Sequence, residues 1–251
     1  IELCLVCNPH SSYKFSAENE ILNYLEDNGI SYVRNDRSIL DGKEIDILIP
    51  SKNIGLEFNG LYWHSSLYKD SKYHLNKTEL ASKKSIKLIH IWEDDFVLKK
   101  DIIYSRINNL LGLNNNKIYA RKCDIRIVDN KESKKFIDEN HLQGNINSNI
   151  KIGLYYENQL ISIISFGKLR RSLGSKSIDG EFELYRFCSK LNYNVIGGFQ
   201  RLLKYFEDNY NPSKIITYAN RDWSSETNIY LSSGFTSDGC TSPNFWYFNN
   251  E

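Results

Sequence analysis

The stretch Lys43–His64, KEIDILIPSKNIGLEFNGLYWH, decides how the chain is read. EIDILIP is an apolar run broken by Asp46 and closed by Pro50. IGLEFNG is a second run, broken by Glu57 and closed by Gly60. Each predicts a buried strand, with a turn at the SKN between them. A charge inside such a strand costs several kcal/mol unless it is paired or bound to metal. One such carboxylate is explained by an exposed sheet edge or a turn cap. Two on consecutive strands, with His64 following, fit a divalent-metal site better than a plain hairpin. Mg²⁺ takes only one or two protein carboxylates and keeps water and phosphate for its other positions. A histidine beside it can move a proton near neutral pH.

Working outward, SAENEILNYLEDN (16–28) predicts a helix. Ser16 stands at its N-cap, Glu18 and Glu20 in its first turn, and Gly29 at its stop. ISYVRN reads as a strand and DRSILDG as a loop. Downstream, the segment from Tyr68 to Lys84 is polar and basic with helical spacing. SIKLIHIWED reads as a buried strand, with His90 a satisfied core histidine. Glu93, Asp94 and Asp95 end that strand and cap the helix read over 97–111. Helix, three strands, helix, strand, helix make a compact α/β unit.

LNNNK (113–117) reads as a linker. Beyond it come a strand, a helix, two strands around an Asn-containing turn, a loop at RRSLGSKSIDGE and the strand FELYRFCSK. A helix behind Gly197-Gly198, the strand KIITYANR, a short helix at ETNIYLSSGF and a last strand at NFWYF complete the order. The fold class expected is α/β in the α+β sense: a small mixed-sheet core followed by a second mixed α/β domain.

The composition sets bounds. Hydrophobic residues are 41% and charged residues 25% of 251, as in a packed globular protein. The net charge of +1 lacks the overall basic excess common in nucleic-acid binders, so charge has to be read locally. No apolar run approaches a membrane span, and no signal peptide opens the chain. Five scattered cysteines argue for a reducing cytoplasm rather than a disulfide framework. The chain holds no Met, so a fragment or processed product is expected. Within 1–13, Cys4, Cys7 and His10 have the spacing of half a zinc site. Either they are the remnant of a zinc ribbon that holds Zn²⁺, or the thiols are unpaired.

The helix with an early Glu, then Asp, then Glu-x-Asn resembles the PD-(D/E)XK nuclease superfamily. SAENEILNYLEDNGISYV…EID…IGLEFNGLYWH…IKLIHIWEDDF is similar to its very-short-patch repair endonucleases and to the EDxHD homing endonucleases of phages. The resemblance covers about residues 14–112, and Gly60–His64 is its most specific piece. It implies hydrolysis of double-stranded DNA with Mg²⁺ or Mn²⁺, in a bacterial host cell and with a phage-encoded chain. Position by position, Asp46 matches the metal-binding Asp and Glu57 the second acidic position. Glu18, and less closely Glu20, matches the helix Glu, and His64 the proton-transfer histidine. Two departures stand out. Asn59 occupies the superfamily's Lys position, and the late Asp of the EDxHD pattern falls where this chain has His74 and Lys77. Lys77 could supply the missing ammonium from the helix; a solvated helix face is the alternative for both.

Residues 118–251 resemble the GNAT acyltransferase fold, with NVIGGFQRLLKYF in place of its pyrophosphate loop. That loop's glycine signature is reduced here to Gly197 and Gly198. DNA contact, acyl transfer and a structural role compete for this domain. Basic residues favour DNA contact, through Lys69, Lys72 and Lys83 in the first domain and Arg121, Lys122, Arg170, Arg171 and Arg221 in the second. The sequence thus predicts a metal-dependent DNA endonuclease. Its rivals are a catalytically inactive DNA-binding protein, which Asn59 supports, and an acyltransferase.

Overall fold

The computed structural model describes residues 9–61, 72–170, 178–225 and 228–241. The chain divides into two units, Ile1–Leu98 together with Asn220–Glu251, and Lys99–Ala219.

In the first unit, β1 (Val33–Leu40), β2 (Lys43–Ile49), β3 (Ile54–Asn59) and β4 (Lys87–Trp92) form one sheet in that order. The β1–β2 and β2–β3 pairs are antiparallel and β3–β4 is parallel. A single turn at Pro50–Lys52, closed by Asn53 at φ 54°, joins β2 to β3. A parallel pair needs a crossover, and α2 (Tyr73–Lys83) lies in the β3–β4 connection. Every residue of β3 is buried, including its two polar ones, Glu57 and Asn59. α1 (Pro9–Asp27) packs on β3, and α2 packs on β4 and β1. Leu40, Ile45, Leu48, Ala81, Ile86 and Leu88 form an apolar cluster between sheet and helix. Gly55 permits that approach: a Cβ there would stand 2.8 Å from Leu88 Cδ1 and 3.0 Å from Ile45 Cγ2.

Three local expectations change. α1 begins at Pro9 rather than at a Ser16 cap, which puts His10 in its first turn; proline suits a first helical turn, where its missing N–H has no intrahelical role. β1 runs on through DRSIL, with an irregular register between Asp36 and Leu40 and Asn35 at φ 51°. Asp36 Oδ1 accepts from the backbone of Ser38 and Ile39 there, so turn-forming residues sit inside a strand. The helix read over 97–111 is two, α3 (Glu93–Leu98) and α4 (Lys100–Leu111), broken at Lys99.

In the second unit, β6 (Asp124–Ile127), β7 (Ile150–Tyr156), β8 (Gln159–Gly167), β9 (Glu181–Ser189) and β11 (Lys214–Thr217) form a sheet. Its order is β11-β9-β8-β7-β6, antiparallel except at β11–β9. β5 (Asn116–Tyr119) and β10 (Tyr193–Ile196) make a separate parallel pair. α6 (Gly198–Tyr210) packs on β7 and β8, with Phe206 stacked on Phe166 at 3.6 Å between centroids. α5 (Asn130–Asn140) packs on β9 and is capped by Asp129, whose carboxylate accepts from Lys131 N and Glu132 N. Leu231–Ser233 forms one short turn where a helix was expected, and NFWYF lies outside the described residues. The architecture is mixed α+β. No helix among the described residues is long and apolar enough to cross a membrane.

The division differs in two places from the one read along the sequence. α4 belongs to the second unit, where Ser105 Oγ accepts from Asn192 N at 2.8 Å. The chain from Asn220 returns to the first unit, where His90 N donates to Asp222 O at 3.0 Å and Trp223 is buried.

Candidate active site

The β2–β3 ladder pairs Ile49 with Ile54, Leu48 with Gly55 and Ile47 with Leu56. One step on, side chains take over from backbone. Phe58 N donates to Asp46 Oδ2 at 2.8 Å, and Asp46 N donates to Glu57 Oε1 at 3.4 Å. Each strand thus lends its carboxylate to the other strand's backbone N–H, which sets Asp46 and Glu57 side by side. Both are 4% exposed. From α2, the Lys77 ammonium reaches Glu57 Oε2 at 2.5 Å, and Lys77 is itself buried. Lys77, which the sequence offered either as a stand-in for the superfamily's lysine or as part of a solvated helix face, lies inside, against the sheet, beside the two carboxylates.

On β4, His90 is paired with Glu57 across the ladder. Its Nδ1 meets Asn59 Nδ2 at 3.1 Å and its Nε2 meets Thr78 Oγ1 at 2.8 Å, while Thr78 donates to His74 O at 2.9 Å. Burial of His90 is therefore matched by a bond at each ring nitrogen, the satisfied core histidine expected of it. The His74 ring packs edge-on to His90 and Trp92, at 5.3 and 5.0 Å between centroids.

Glu18, on α1, is buried, and its Oε1 accepts from Arg34 at 2.8 Å. Glu93, read as a helix cap, sends Oε2 back to accept from Leu61 N at 2.9 Å, fixing the turn after β3. Sequence reading did not single out Arg34, Thr78 or that role of Glu93. Each is a polar residue of common type whose partner is remote in sequence. Near β4, burial pushes the Asp222 carboxyl up to about 6; bonds from Trp92 and Asn220 act the other way, and the charge of Asp95 adds to the rise.

His64, Lys69, Arg171, Cys4 and Cys7 lie outside the described residues, as does the side chain of His10. Among the described residues no group of three or more His, Cys, Asp and Glu is arranged to hold a metal ion. A cation here would rest on Asp46 and Glu57, with water and phosphate completing it, as Mg²⁺ accepts. The donor set fits: hard oxygens, and a buried amide oxygen, Asn59 Oδ1, with no hydrogen-bond partner among the described residues.

Of the basic residues expected to meet DNA, Lys72, Lys83, Arg121 and Lys122 are exposed. Arg221 is within 3.7 Å of Glu79. Arg170 is different: it is drawn to Glu183, with Nε 2.6 Å from Oε1, because that carboxylate is 1% exposed and needs a counter-charge. At the start of α6, a cleft of about 550 Å³ is lined by Tyr119, Arg121, Gly197, Gln200, Arg201 and Lys204, among others. Lys204 is paired there with Asp208, and Arg201 donates to Ala120 O. Elsewhere in this unit burial pushes the Cys188 thiol up to about 12, so it stays protonated and inert.

No family model and no curated protein matches the chain. Among solved structures, it is similar to the catalytic domain of homing endonuclease I-Bth0305I at 20% identity and TM-score 0.33, over 39% of this chain and 94% of that one. It is also similar to ribosomal-protein-alanine N-acetyltransferase from Brucella melitensis biovar Abortus 2308. That match has 14% identity and TM-score 0.35, over 51% of this chain and 99% of that one. Likenesses of this size do not assign a function.

Proposed function

We propose that the protein is a metal-dependent DNA endonuclease whose centre is Asp46, Glu57 and Lys77. The observation that carries this is the buried Glu57–Lys77 pair beside a second buried carboxylate. Desolvating two charges seldom gains stability over a well-packed apolar pair. Strand carboxylates with a helix-borne ammonium are the groups that phosphodiester hydrolysis needs, and buried charged clusters of this kind are candidates for functional sites. The PD-(D/E)XK resemblance supports the same reading, with Lys77 supplying the ammonium that position 59 lacks.

In this reading Asp46 and Glu57 would hold Mg²⁺ or Mn²⁺, which would supply polarisation of the phosphate and a bound water of lowered pKa. Lys77 orients Glu57 and offers its charge to the phosphate as negative charge grows on it. Glu93 holds the turn from which the chain proceeds to His64, the proposed proton-transfer group. Exposed Lys72, Lys83, Arg121 and Lys122 contact the DNA backbone in a salt-sensitive way.

The test is plasmid cleavage in Mg²⁺ by the parent and by Asp46→Asn. The variant is expected to lose about a hundredfold in rate or more; equal rates contradict the assignment. Saturable acetyl-CoA binding, with no effect of DNA on the protein, favours the acyltransferase reading instead.

A further inference from the structure

We propose that Asn59 is a neutral oxygen ligand for the divalent cation, held in position by a hydrogen-bonded train through His90 and Thr78. This rests on Asp46 and Glu57 as cation-binding carboxylates, and is independent of the reaction that follows.

The train has a defined sense. Thr78 has one hydroxyl proton, and it goes to His74 O at 2.9 Å. In the 2.8 Å contact with His90 Nε2 the ring is then the donor. In the neutral ring, Nδ1 must accept, and its partner at 3.1 Å is Asn59 Nδ2. The network assigns both the tautomer and the amide orientation. It turns the nitrogen of Asn59 toward β4 and the oxygen the other way.

That oxygen is one of several such buried polar atoms among the described residues, and it stands on the strand that carries Glu57. Asn59 is 1% exposed, and Oδ1 has no hydrogen-bond partner among the described residues. Buried polar atoms are nearly always satisfied, so one held in place by a train of bonds calls for a partner. Asn59 is two residues along β3 from Glu57, hence on the same face. Between them, the Phe58 N–H holds Asp46 Oδ2 at 2.8 Å. Carboxylate and carbonyl oxygens together suit Mg²⁺ and Mn²⁺. An uncharged third ligand adds no further acid to compete with Glu57 for the Lys77 ammonium. His90 is a positioning residue: it touches Asn59, not the cation.

The experiment is Mn²⁺ binding to the full chain without DNA, read by the electron paramagnetic resonance signal of free Mn²⁺, with circular dichroism as the check on folding. Asn59→Leu is expected to bind about tenfold more weakly or worse. Asn59→Asp, which keeps an oxygen and adds charge, is expected to bind at least as tightly as the parent. Thr78→Val cuts the train but leaves all three ligands, and is expected to lose about tenfold, the low end for an outer-shell partner. If Asn59→Leu does not fold, the other two variants decide. A parent that binds no Mn²⁺, an Asn59→Leu affinity equal to the parent's, or an Asn59→Asp affinity below it overturns the proposal. Plasmid cleavage by the parent with Asn59→Leu affinity unchanged defeats this inference and leaves the nuclease reading standing. Loss of Mn²⁺ binding in Asn59→Leu with a parent inert on DNA does the reverse.

Discussion

Glu57 and Lys77 each have about 5% of their side chain exposed and lie 2.5 Å apart. Removing one partner of a buried ion pair takes away the other's counter-charge, at a cost of about 3–5 kcal/mol. Glu57→Gln and Lys77→Met are therefore each expected to destabilise by about that much in urea unfolding. The double variant is expected to lose less than the sum of the two single losses, because neither member of the pair is then left without the other; additive losses would contradict a direct pair. The carboxylates were legible in sequence because each interrupts an apolar run. Lys77 was less so. Its neighbours in the run, Lys72, Lys83 and Lys84, are exposed, and only contact with a strand twenty residues away separates it from them. A charged residue at the sheet-facing position of a helix also erases the apolar stripe by which that face is normally found.

At the scale of elements, strands with continuous apolar runs were readable, and β3 and β4 came close to their expected limits. Elements closed by tertiary contact were not. β1 continues through an Asp36 turn because its partner β2 holds it, and α4 shows the same amphipathic pattern whichever core receives it. The end of α5 carries a consequence of such contact. Burial, with the charges of Arg186, Arg106 and Lys99, pushes His141 down to about 3. In the unfolded chain it titrates near 6.5. The unfolded state therefore takes up a proton that the native state refuses, and stability falls as pH drops from about 6.5 toward 3. The loss amounts to a few kcal/mol. His141→Gln is expected to flatten that part of the stability–pH curve in denaturant titrations; an unchanged slope would contradict the burial of a neutral ring.

At the scale of the molecule, two mixed α+β units arise from a chain that leaves the first and comes back to it at Asn220. Hydrophobic periodicity carries no information about such a return, since a strand's pattern does not say which sheet it serves. The order of elements up to Trp92 was legible because each neighbour in sequence is also a neighbour in the sheet. The return to β4, through Asp222 and Trp223, was not. Asp46, Glu57 and Lys77 as a proposed centre for phosphodiester hydrolysis can be tested directly. The direct measurement is single-turnover cleavage of supercoiled plasmid by excess full-length chain in Mg²⁺, with and without chelator, beside Lys77→Met. The proposed centre predicts nicked or linear product that chelation abolishes and that Lys77→Met slows by about a hundredfold. Plasmid that stays supercoiled in both Mg²⁺ and Mn²⁺ would contradict it.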